Sequence, residues 1–573
     1  MKKYIYILAA VAALTACSKE ANIADKNTPE ETKISGKTVS FSVSVEKQDI
    51  KSSLSGSGFT WASSDRAAVY TTGGEKVILT PSNIDGANAI FSGTITDDND
   101  GIPEGAIIVY PADRLTAATT VDFTPKVFNT ADAPDAEPIL AAKVGSDRTE
   151  LKFKYVCGTV QIPFADIPCA ANKIYIQQVS GSLGGNGVIS FIDHDSNSST
   201  DEVPSYSGSF ADNVDIYLTS WGHKTVFLPV LNTATRDLYV SLKDENVLLF
   251  DKIKSLTVQR NSYFKMKELS VSPNVYLYSN MTGWSGTDAP MTVNNGVASL
   301  KLTSMGSQYF RVAVEMSGNT YVYGATGADI TSLPATLVLN GTSKAAKVSD
   351  DLGVYTISFD YTTAEASVDA ESDVSVFYIV GTENSWNLSD ASTTLSKTYD
   401  GKYYVIGQKG QYKVCYNPYW ASTIGTGSDT NGGNFGPGAQ DSDTGSSSLI
   451  MTIPSDGSAA TYNYFNEDYQ STASHTAVYV KINNSNDGLA MTQDSYNKSL
   501  WTYEYTNTDT HYVTFWVDAL WGTDSSLSTT EYNGVGATHN SYYGVDNWCI
   551  GGMKYLIVLN DHTGKVKYLK LPN

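Results

Sequence analysis

The sequence is poor in cysteine. Only five cysteines occur in 573 residues, and beyond Cys17 they are widely separated, at Cys157, Cys169, Cys415 and Cys549. None belongs to a CxxC pair, which argues against a disulfide-built scaffold and the common cysteine zinc sites. A single Cys157–Cys169 bridge stays open as the alternative to buried free thiols, the state that we expect.

Histidine and recognisable catalytic motifs are also scarce. The six histidines form no HExxH motif and no pair spaced for zinc, and no GxSxG motif accompanies them. Carboxylates are plentiful, so a glycosidase acid–base pair stays open, because its two members usually lie far apart in a chain. Small repeated domains argue against a deep cleft. We therefore predict a protein that is not an enzyme and uses no cofactor.

Positive charge is under-represented. Lysine and arginine total 39 against 60 aspartates and glutamates, which gives a formal net charge of −21. Such a surface repels phosphate backbones and anionic membrane surfaces. The composition therefore argues against nucleic acid as a partner.

Long apolar runs are absent except at the N-terminus. Two lysines precede the apolar stretch 4–14, which is too short for a mature membrane-spanning helix and is typical of an export signal. The Leu-Thr-Ala-Cys that follows resembles the bacterial lipobox, in which the cysteine is acylated after cleavage; a plain secretory signal is the alternative. We predict a signal peptide over 1–17, lipidation of Cys17, a polar tether over 18–37 and an outer-membrane anchor.

Short alternating segments dominate the rest of the chain. Tyrosine is unusually abundant, with 37 residues against 18 phenylalanines. Runs such as TVSFSVSVE (38–46) and YTISFDYT (355–362) recur between Gly, Asn, Asp and Pro residues. Period-two alternation indicates half-buried strands. The sequence thus predicts an all-β, multi-domain chain of β-sandwiches.

The C-terminal half contains a repeat. VYLYSNMTGW, which ends at Trp284, and FYIVGTENSW, which ends at Trp386, are followed at the same distance by YFRVAVE and QYKVCYN. YVTFWVD marks a third copy, and a spacing of about 100 residues indicates domains in series rather than a solenoid. The predicted limits are an N-terminal module over 38–272, repeat 1 over 273–371, repeat 2 over 374–470 and repeat 3 over 476–573.

Alternation along YFRVAVE predicts which side chains face the core. One face carries the apolar set, and Arg311 lies on the outward face. The corresponding outward positions are Lys413 in repeat 2, and Thr514 followed by Trp516 in repeat 3. The predicted core-facing set is Phe310, Val312 and Val314.

Aromatic residues flank this outward face. Aromatic planes stack on the C–H faces of sugars, and a neighbouring lysine or arginine supplies donors to sugar hydroxyls. The alternative is that the rings cover sandwich ends or seams between domains. Trp420 favours binding, because repeat 1 has Gly318 at its position, whereas the two interpretations are nearly equal for Trp284 and Trp386. The candidate carbohydrate-binding residues are Trp284, Arg311, Trp386, Lys413, Tyr419, Trp420, Trp516 and Trp521.

The motifs of the second repeat suggest a family. A strand followed by GTENSWN, the Tyr-Lys-Val strand and NPYW resemble the tandem domains of outer-membrane starch-utilisation lipoproteins, which are surface glycan-binding proteins. The resemblance covers about 274–573 and implies carbohydrate-binding-like sandwich modules. In such modules aromatic residues and a lysine or arginine hold an oligosaccharide, which points to Trp386, Lys413, Tyr419 and Trp420.

The N-terminal half carries different motifs. GFTWASSDRAAVY (58–70), AIIVYPAD (106–113) and RNSYFKMKELSV (260–271) resemble the fimbrillin family. The resemblance implies a two-lobed β-sandwich lipoprotein that polymerises after cleavage at a basic residue, by donating a strand to the next subunit. Lys47 and Lys51 are the candidate processing sites.

One acidic loop spaces oxygen ligands at alternate positions, at Asp193, Asp195 and Asn197. It lacks the mid-loop glycine and the final glutamate of an EF-hand. We interpret it as a solvated surface loop, and a calcium ion is the alternative.

Together these features predict a lipid-anchored, non-catalytic glycan-binding adhesion protein of fimbrillin type at the cell surface. The alternatives are a structural or accessory component of a fimbria, such as an anchor or tip, whose tandem domains contact protein, and a surface glycosidase. The predicted partners are glycans, the outer membrane through the lipid anchor, and other fimbrial subunits.

Overall fold

The structure is a computed structural model. It describes residues 36–46, 59–97, 100–178, 183–193, 202–231, 234–339, 345–372, 376–426, 433–436, 445–455, 458–465, 468–483, 485, 487–518, 530–531, 537–542 and 545–572. Six residues singled out in the sequence lie outside these ranges: Cys17, Lys47, Lys51, Asp195, Asn197 and Trp521. Within these ranges no helix has the length and apolarity needed to cross a membrane.

The described residues form strands joined by turns, which confirms the all-β prediction. Strands β1 to β10 are Lys37–Val45, Ala67–Tyr70, Lys76–Asp85, Asn88–Ile95, Ile107–Tyr110, Leu115–Ala117, Thr120–Asp122, Lys126–Asn129, Leu140–Lys143 and Glu150–Tyr155. Strands β11 to β20 are Gly158–Ile167, Lys173–Gln178, Asn186–Asp193, Glu202–Gly208, Asn213–Tyr217, Gly222–Val230, Ala234–Asp244, Val247–Val258, Tyr263–Lys265 and Leu269–Ser270.

The remaining strands belong to the C-terminal half. Strands β21 to β30 are Asn274–Ser279, Thr292–Asn294, Val297–Ser304, Tyr309–Met316, Asn319–Gly324, Ala335–Thr336, Val338–Leu339, Ala346–Lys347, Gly353–Asp360 and Glu365–Ala370. Strands β31 to β37 are Tyr378–Gly381, Ser396–Lys397, Tyr403–Lys409, Tyr412–Cys415, Thr423–Ile424, Ser446–Thr452 and Thr461–Phe465. Strands β38 to β47 are Val478–Ile482, Leu489–Ala490, Thr492–Gln493, Leu500–Thr506, His511–Val517, Thr530–Glu531, Ala537–Tyr542, Val545–Ile550, Lys554–Asn560 and Lys565–Lys570. Short 3-10 turns occur at Ala112–Arg114, Thr130–Asp132, Thr382–Asn384 and Trp420–Ser422.

The chain forms two compact units, and the first is built around a closed barrel. The strand order is β1-β10-β9-β5-β2-β3-β4, and β1 runs parallel to β10. Trp61 of the FTW motif is buried in this unit, where its ring meets Phe91 and Phe153 edge-on at centroid distances of 4.7 and 5.5 Å. Its Nε1 donates to the carbonyl oxygen of Ala87 at 3.0 Å. This tryptophan is therefore a core residue with a satisfied polar atom.

The second unit consists of stacked sheets along the rest of the chain. The N-terminal module contributes the sheets β19-β11-β16-β8 and β15-β12-β17-β18, and the strands β14-β13-β7 of a further sheet. Repeat 1 contributes β21-β24-β25-β27 and β22-β23-β29-β30-β26, and repeat 2 contributes β31-β34-β35 and β32-β33-β36-β37. Repeat 3 contributes β39-β38-β42-β45-β44 and β40-β41-β46-β47-β43.

The YFRVAVE strand, β24, is buried as its alternation predicts. Phe310, Val312 and Val314 are at most 1% exposed, whereas Arg311 is partly exposed. Alternate side chains of one strand point to opposite faces, so the apolar set enters the core and Arg311 faces outward. The prediction of the core face is confirmed.

Repeats 1 and 2 are joined by a buried polar contact as well as by apolar packing. The Asn417 side chain accepts a hydrogen bond from the Thr303 amide and donates one to the Thr303 carbonyl oxygen, both at 2.8 Å. Ser422 Oγ donates to the carbonyl oxygen of Met281 at 2.6 Å. One apolar core continues across this seam, from Val160 to residues of repeat 2. The side chains of Asn417 and Ser422 therefore satisfy backbone polar groups that would otherwise be buried at the seam without hydrogen-bond partners.

No disulfide joins the described cysteines Cys157, Cys169 and Cys415, so the Cys157–Cys169 bridge that the sequence left open is not formed. The Cys169 thiol lies 3.3 Å from the hydroxyl oxygen of Tyr323 and donates to it.

The Asp518 carboxylate of repeat 3 bonds to two residues that precede the first strand of the repeat. Asp518 follows β42 and lies 2.8 Å from His475 Nδ1, and it accepts hydrogen bonds from the amide and hydroxyl of Thr476 at 2.7 and 2.9 Å. These hydrogen bonds lower the pKa of Asp518 to about 2. The ionised carboxylate is thus the form that the folded repeat stabilises.

Replacement of Asn417 by alanine is expected to open the seam locally. The buried amide and carbonyl of Thr303 would lose their partners, which costs about 1–3 kcal/mol for each unsatisfied group. Amide hydrogen exchange of a peptide that contains Thr303 should therefore accelerate on the order of tenfold to a hundredfold. Asn319→Ala, which removes one amide contact in a turn of repeat 1, is the control. Equal amide exchange rates in the two variants would contradict the role of the Asn417–Thr303 contact.

The stabilising effect of Asp518 should depend on pH. Its folded-state pKa lies below the ordinary value, so its contribution is present above about pH 4 and is lost as the pH falls from about 4 to about 2. In urea unfolding, wild type should exceed Asp518→Asn in stability at pH 6, and the difference should shrink at pH 2.5. Asp509→Asn, at an exposed position of the same repeat, should show no such trend. A difference that is constant with pH would rule out this linkage.

Candidate functional site

The candidate site of repeat 2 lies on the face of a sheet that points away from the sandwich core. In the β31–β34 pair, Tyr378 lies opposite Cys415 and Val380 opposite Lys413. Tyr378, Val380 and Cys415 form a small buried cluster on this face, and Trp386 packs against it. A polar loop therefore carries a tryptophan because the ring covers apolar side chains on the outer face of the sheet.

A tight turn returns Trp386 to the sheet. Ser385 and Trp386 both have left-handed backbone conformations, with φ of 55° and 61°, which cost energy in residues other than glycine. The Asn384 side chain compensates, because it accepts from the Gly381 amide at 2.9 Å and donates to the Ile379 carbonyl oxygen at 3.2 Å. The Trp386 amide also donates to the Gly381 carbonyl oxygen at 2.9 Å. These hydrogen bonds thus stabilise the turn that carries the Trp386 ring.

Trp420 lies beside Trp386. It begins the 3-10 turn Trp420–Ser422, and its residue surface is 49% exposed. The two indole centroids are 6.3 Å apart, with an angle of 38° between the ring planes. Two tryptophans separated in sequence by the whole β32–β34 region therefore form one aromatic surface that is partly open to solvent.

Lys413 and Tyr419 are less accessible than Trp420. Lys413 is partly buried, and burial lowers the pKa of its ammonium group. Burial also raises the pKa of the neighbouring Cys415 thiol to about 12, so this thiol stays protonated. Tyr419 is half-buried against the main core, and burial followed by the charge of Asp288 raises its pKa. Both residues are thus less exposed than Trp420.

Repeat 1 presents a related arrangement with a different cation. Trp284 is 40% exposed, and the guanidinium carbon of Arg311 lies 5.1 Å from the centroid of its ring. Tyr276 and Tyr278 lie on the same face as Arg311, because Tyr278 pairs directly with Arg311 in the sheet. The Tyr276 hydroxyl donates to Glu315 Oε2 at 3.3 Å. The two tyrosines were not among the residues predicted from the sequence.

Repeat 3 differs from the prediction. Thr514 was expected on an open face, but it is buried, because the Lys481 side chain, opposite Thr514 in the sheet, extends across this face to the Trp516 ring. Lys481 Nζ is 4.0 Å from the Trp516 centroid, and Lys481 itself is only 4% exposed. Trp516 Nε1 is buried and has no hydrogen-bond partner within the described part of the chain. The cation of this repeat therefore comes from β38, at Lys481, a residue that the prediction did not include.

A tyrosine occupies the same position in each repeat. Tyr276, Tyr378 and Tyr479 pair with Ala313, Cys415 and Trp516, respectively. The signal was present in the sequence, since VYLYS, FYIVG and VYVKI each carry tyrosine at their second position. To recognise these tyrosines as equivalent, the first strands of the three repeats have to be aligned, as well as the later tryptophans.

The acidic loop of the N-terminal module lies mostly outside the described residues. Asp193 is the last residue of β13, and its two companions are outside the described residues. Among the residues that the structure describes, no three His, Cys, Asp or Glu side chains are arranged to hold a metal ion. Calcium binding by this loop stays a hypothesis from the sequence.

No protein-family model and no curated protein matches the sequence. The structure is similar to that of SusF from Bacteroides thetaiotaomicron, a starch-utilisation protein, with 13% identity over 72% of this chain and 99% of SusF and a TM-score of 0.17. A candidate cell adhesion protein from Bacteroides ovatus ATCC 8483 is similar at 15% identity over 39% of this chain and 88% of that protein, with a TM-score of 0.20. At these identities and TM-scores the similarity does not identify a ligand.

Gly381→Ala is expected to disrupt the aromatic surface. A Cβ at this position would lie 2.2 Å from the Gln411 carbonyl oxygen and 2.6 Å from Tyr412 Cα, so β31 and β34 would have to separate. Overpacking of this kind costs about 1–3 kcal/mol or more. The melting temperature should fall, and the near-ultraviolet circular dichroism of the tryptophans should change. Gly101→Ala, where no atom lies within 4 Å of the added Cβ, should change neither, and an unchanged Gly381→Ala spectrum would contradict the geometry.

Proposed function

We propose that this protein is a non-catalytic surface protein that binds glycans, chiefly through repeat 2. The observation that carries the proposal is the Trp386–Trp420 pair, with centroids 6.3 Å apart and Trp420 half exposed. Such a surface suits the C–H faces of consecutive sugar rings, which stack on aromatic planes. Lys413, on the same sheet face as the cluster under Trp386, supplies a donor for sugar oxygens.

Packing alone accounts for only one of these tryptophans. Trp386 covers Val380 and its neighbours, and that contact is sufficient reason for its position. Trp420 leaves 49% of its surface in water and gains less from burial. An exposed tryptophan next to a second ring is a common feature of recognition surfaces, where aromatic residues contribute most of the binding energy.

The three repeats differ in how open this surface is. In repeat 1, Arg311 stacks on Trp284, and the tryptophan is 40% exposed. In repeat 3, Lys481 covers Trp516 and is itself buried. We therefore rank repeat 2 first, repeat 1 second and repeat 3 third as glycan-binding domains.

The cellular setting belongs to the same proposal. Acylation of Cys17 would anchor the chain to the outer membrane, and a polar tether over 18–37 would leave the sandwiches accessible to extracellular glycans. Adhesion to a glycan-coated surface, without hydrolysis, is the activity that follows.

Binding should be tested with the full mature chain, in which Cys17 is replaced by serine so that the protein is soluble. Neutral gluco-, manno-, xylo- and galacto-oligosaccharides and oligogalacturonate form the panel, and affinities are measured by isothermal titration calorimetry. Trp420→Ala is expected to weaken binding about tenfold or more, because a central aromatic contact is removed. The release of reducing ends is assayed in parallel.

Trp221→Ala is the matched control, since Trp221 is 39% exposed in the N-terminal module. It should leave the affinity unchanged. Absence of binding to every glycan by the folded protein would refute the proposal, and release of reducing ends would refute its non-catalytic part.

A fimbrial role is the second candidate, and one observation favours it. Strand β18 is 12 residues long and lies at the edge of its sheet, with no further strand pairing to it among the described residues. Ile253 of this strand is 49% exposed. An edge strand of this length is a template for strand addition by another chain, although Lys252 and Lys254 oppose indiscriminate pairing.

A further inference from the structure

Repeat 1 has an aromatic surface of its own, on the outer face of the sheet β21-β24-β25-β27. Trp284 is 40% exposed, and the guanidinium carbon of Arg311 lies 5.1 Å from the centroid of its ring. Tyr278 is the direct partner of Arg311 in β21, and antiparallel partners share one face of a sheet. The tryptophan, the arginine and the tyrosine therefore lie together on a partly exposed face.

The same face continues onto β28. Tyr309 lies two residues before Arg311 in β24, so both side chains point to the same side of the sheet, and Lys347 is the direct partner of Tyr309. The next pair along these strands, Phe310 with Ala346, is buried in the core on the opposite side. Two cationic side chains thus lie among the aromatic residues of this outer face.

The carboxylates beside these cations are held by other side chains. Glu315, the only acidic residue in the five strands of this sheet, accepts a hydrogen bond from the Tyr276 hydroxyl at 3.3 Å. Asp350 accepts a hydrogen bond from Lys347 Nζ at 2.6 Å. The charge of Lys347 is thus balanced by Asp350, whereas Arg311 is the cation that lies over the exposed ring.

An arginine in this position suits a planar anion. A guanidinium has five N–H donors in a planar fork, more than one contact can occupy. The fork matches the two oxygens of a carboxylate, and such paired, charge-assisted hydrogen bonds are stronger than bonds to a neutral hydroxyl. An indole plane beside the fork can stack on the C–H face of the sugar ring that carries the carboxylate.

We propose that repeat 1 holds a second glycan site that binds a uronic acid, in which Arg311 pairs with the sugar carboxylate and Trp284 stacks on the sugar ring. The inference rests on the proposed function, because it treats the aromatic surfaces of the repeats as glycan sites. A chain of net charge −21 repels anions in general. A close and oriented cation is therefore what an acidic sugar requires here.

Repeat 2 does not have the features that favour an acidic sugar. Its cation, Lys413, is partly buried, and burial lowers the pKa of the ammonium group. A lysine also presents a point charge rather than a planar fork. Repeat 2 is thus expected to bind neutral sugars and repeat 1 acidic ones.

The test uses the full mature chain with Cys17→Ser and isothermal titration calorimetry of oligogalacturonate, oligomannuronate and the methyl ester of oligogalacturonate. The ester keeps the sugar rings and removes the charge, so wild type should bind it about tenfold or more weakly than the acid. Arg311→Gln and Trp284→Ala should each weaken binding of the better acidic probe about tenfold or more, since a charge-assisted or a stacking contact is lost.

Two further variants control for charge and for fold. Arg311→Lys keeps the charge without the planar fork, so its affinity should lie between those of wild type and Arg311→Gln. Lys301→Gln removes an exposed cation on the other sheet of repeat 1 and should leave the affinity unchanged. Near-ultraviolet circular dichroism checks the fold of each variant, and the comparison of acid with ester on wild type needs no substitution.

The outcomes separate this inference from the proposed function. If a neutral glycan binds and is lost in Trp420→Ala while neither acidic probe binds, the acidic site is wrong and glycan binding by repeat 2 stands. The same conclusion follows if acidic binding depends on Trp420 and not on Arg311 or Trp284. If an acidic probe binds through Arg311 and no neutral glycan binds, the acidic site stands and the role of repeat 2 fails. Binding of no glycan refutes both.

Discussion

Repeat 2 depends on one constraint: the sheet face that points away from its sandwich core carries apolar side chains, which have to be covered from water. In repeat 2, Tyr412 and Val414 of β34 are buried in the core, and Cys415 on the opposite face is covered by Trp386. Small domains have too few side chains to cover both faces, so a turn carries this tryptophan back onto the sheet. The contact that completes the fold also supplies one half of the aromatic surface, and Trp420 adds the other half.

The cations beside these tryptophans follow from the same geometry. Arg311 and Lys481 lie on the outer sheet face, where the ring of a tryptophan partly replaces water, and Lys413 lies on the corresponding face of repeat 2. Removing a charge from water is costly, and an aromatic face recovers part of that cost. In repeat 3, where the cation is most buried, the lysine side chain covers the tryptophan ring. Where the cation lies beside an exposed ring, part of the aromatic surface stays open to solvent.

The seam between repeats 1 and 2 gives this surface a fixed neighbour. Asn417 and Ser422 bind backbone groups of repeat 1, and the apolar core runs on through both repeats. Buried hydrogen bonds of this kind favour a single arrangement, because any other leaves polar groups unpaired. The seam therefore holds repeat 2 in one position against repeat 1.

The sequence by itself determined the all-β class, the core-facing residues of β24 and the tryptophans that recur in the repeats, because alternation and turn residues act over a few neighbours. The domain limits, the lipid anchor and the glycan site stay predictions. Only the tertiary structure decided that Trp386 and Trp420 meet, that Lys481 lies over Trp516, and that Asn417 bonds to Thr303 across the seam. These are contacts between strands and between repeats, and they depend on sheet register and on the packing of separate domains, which no local pattern encodes.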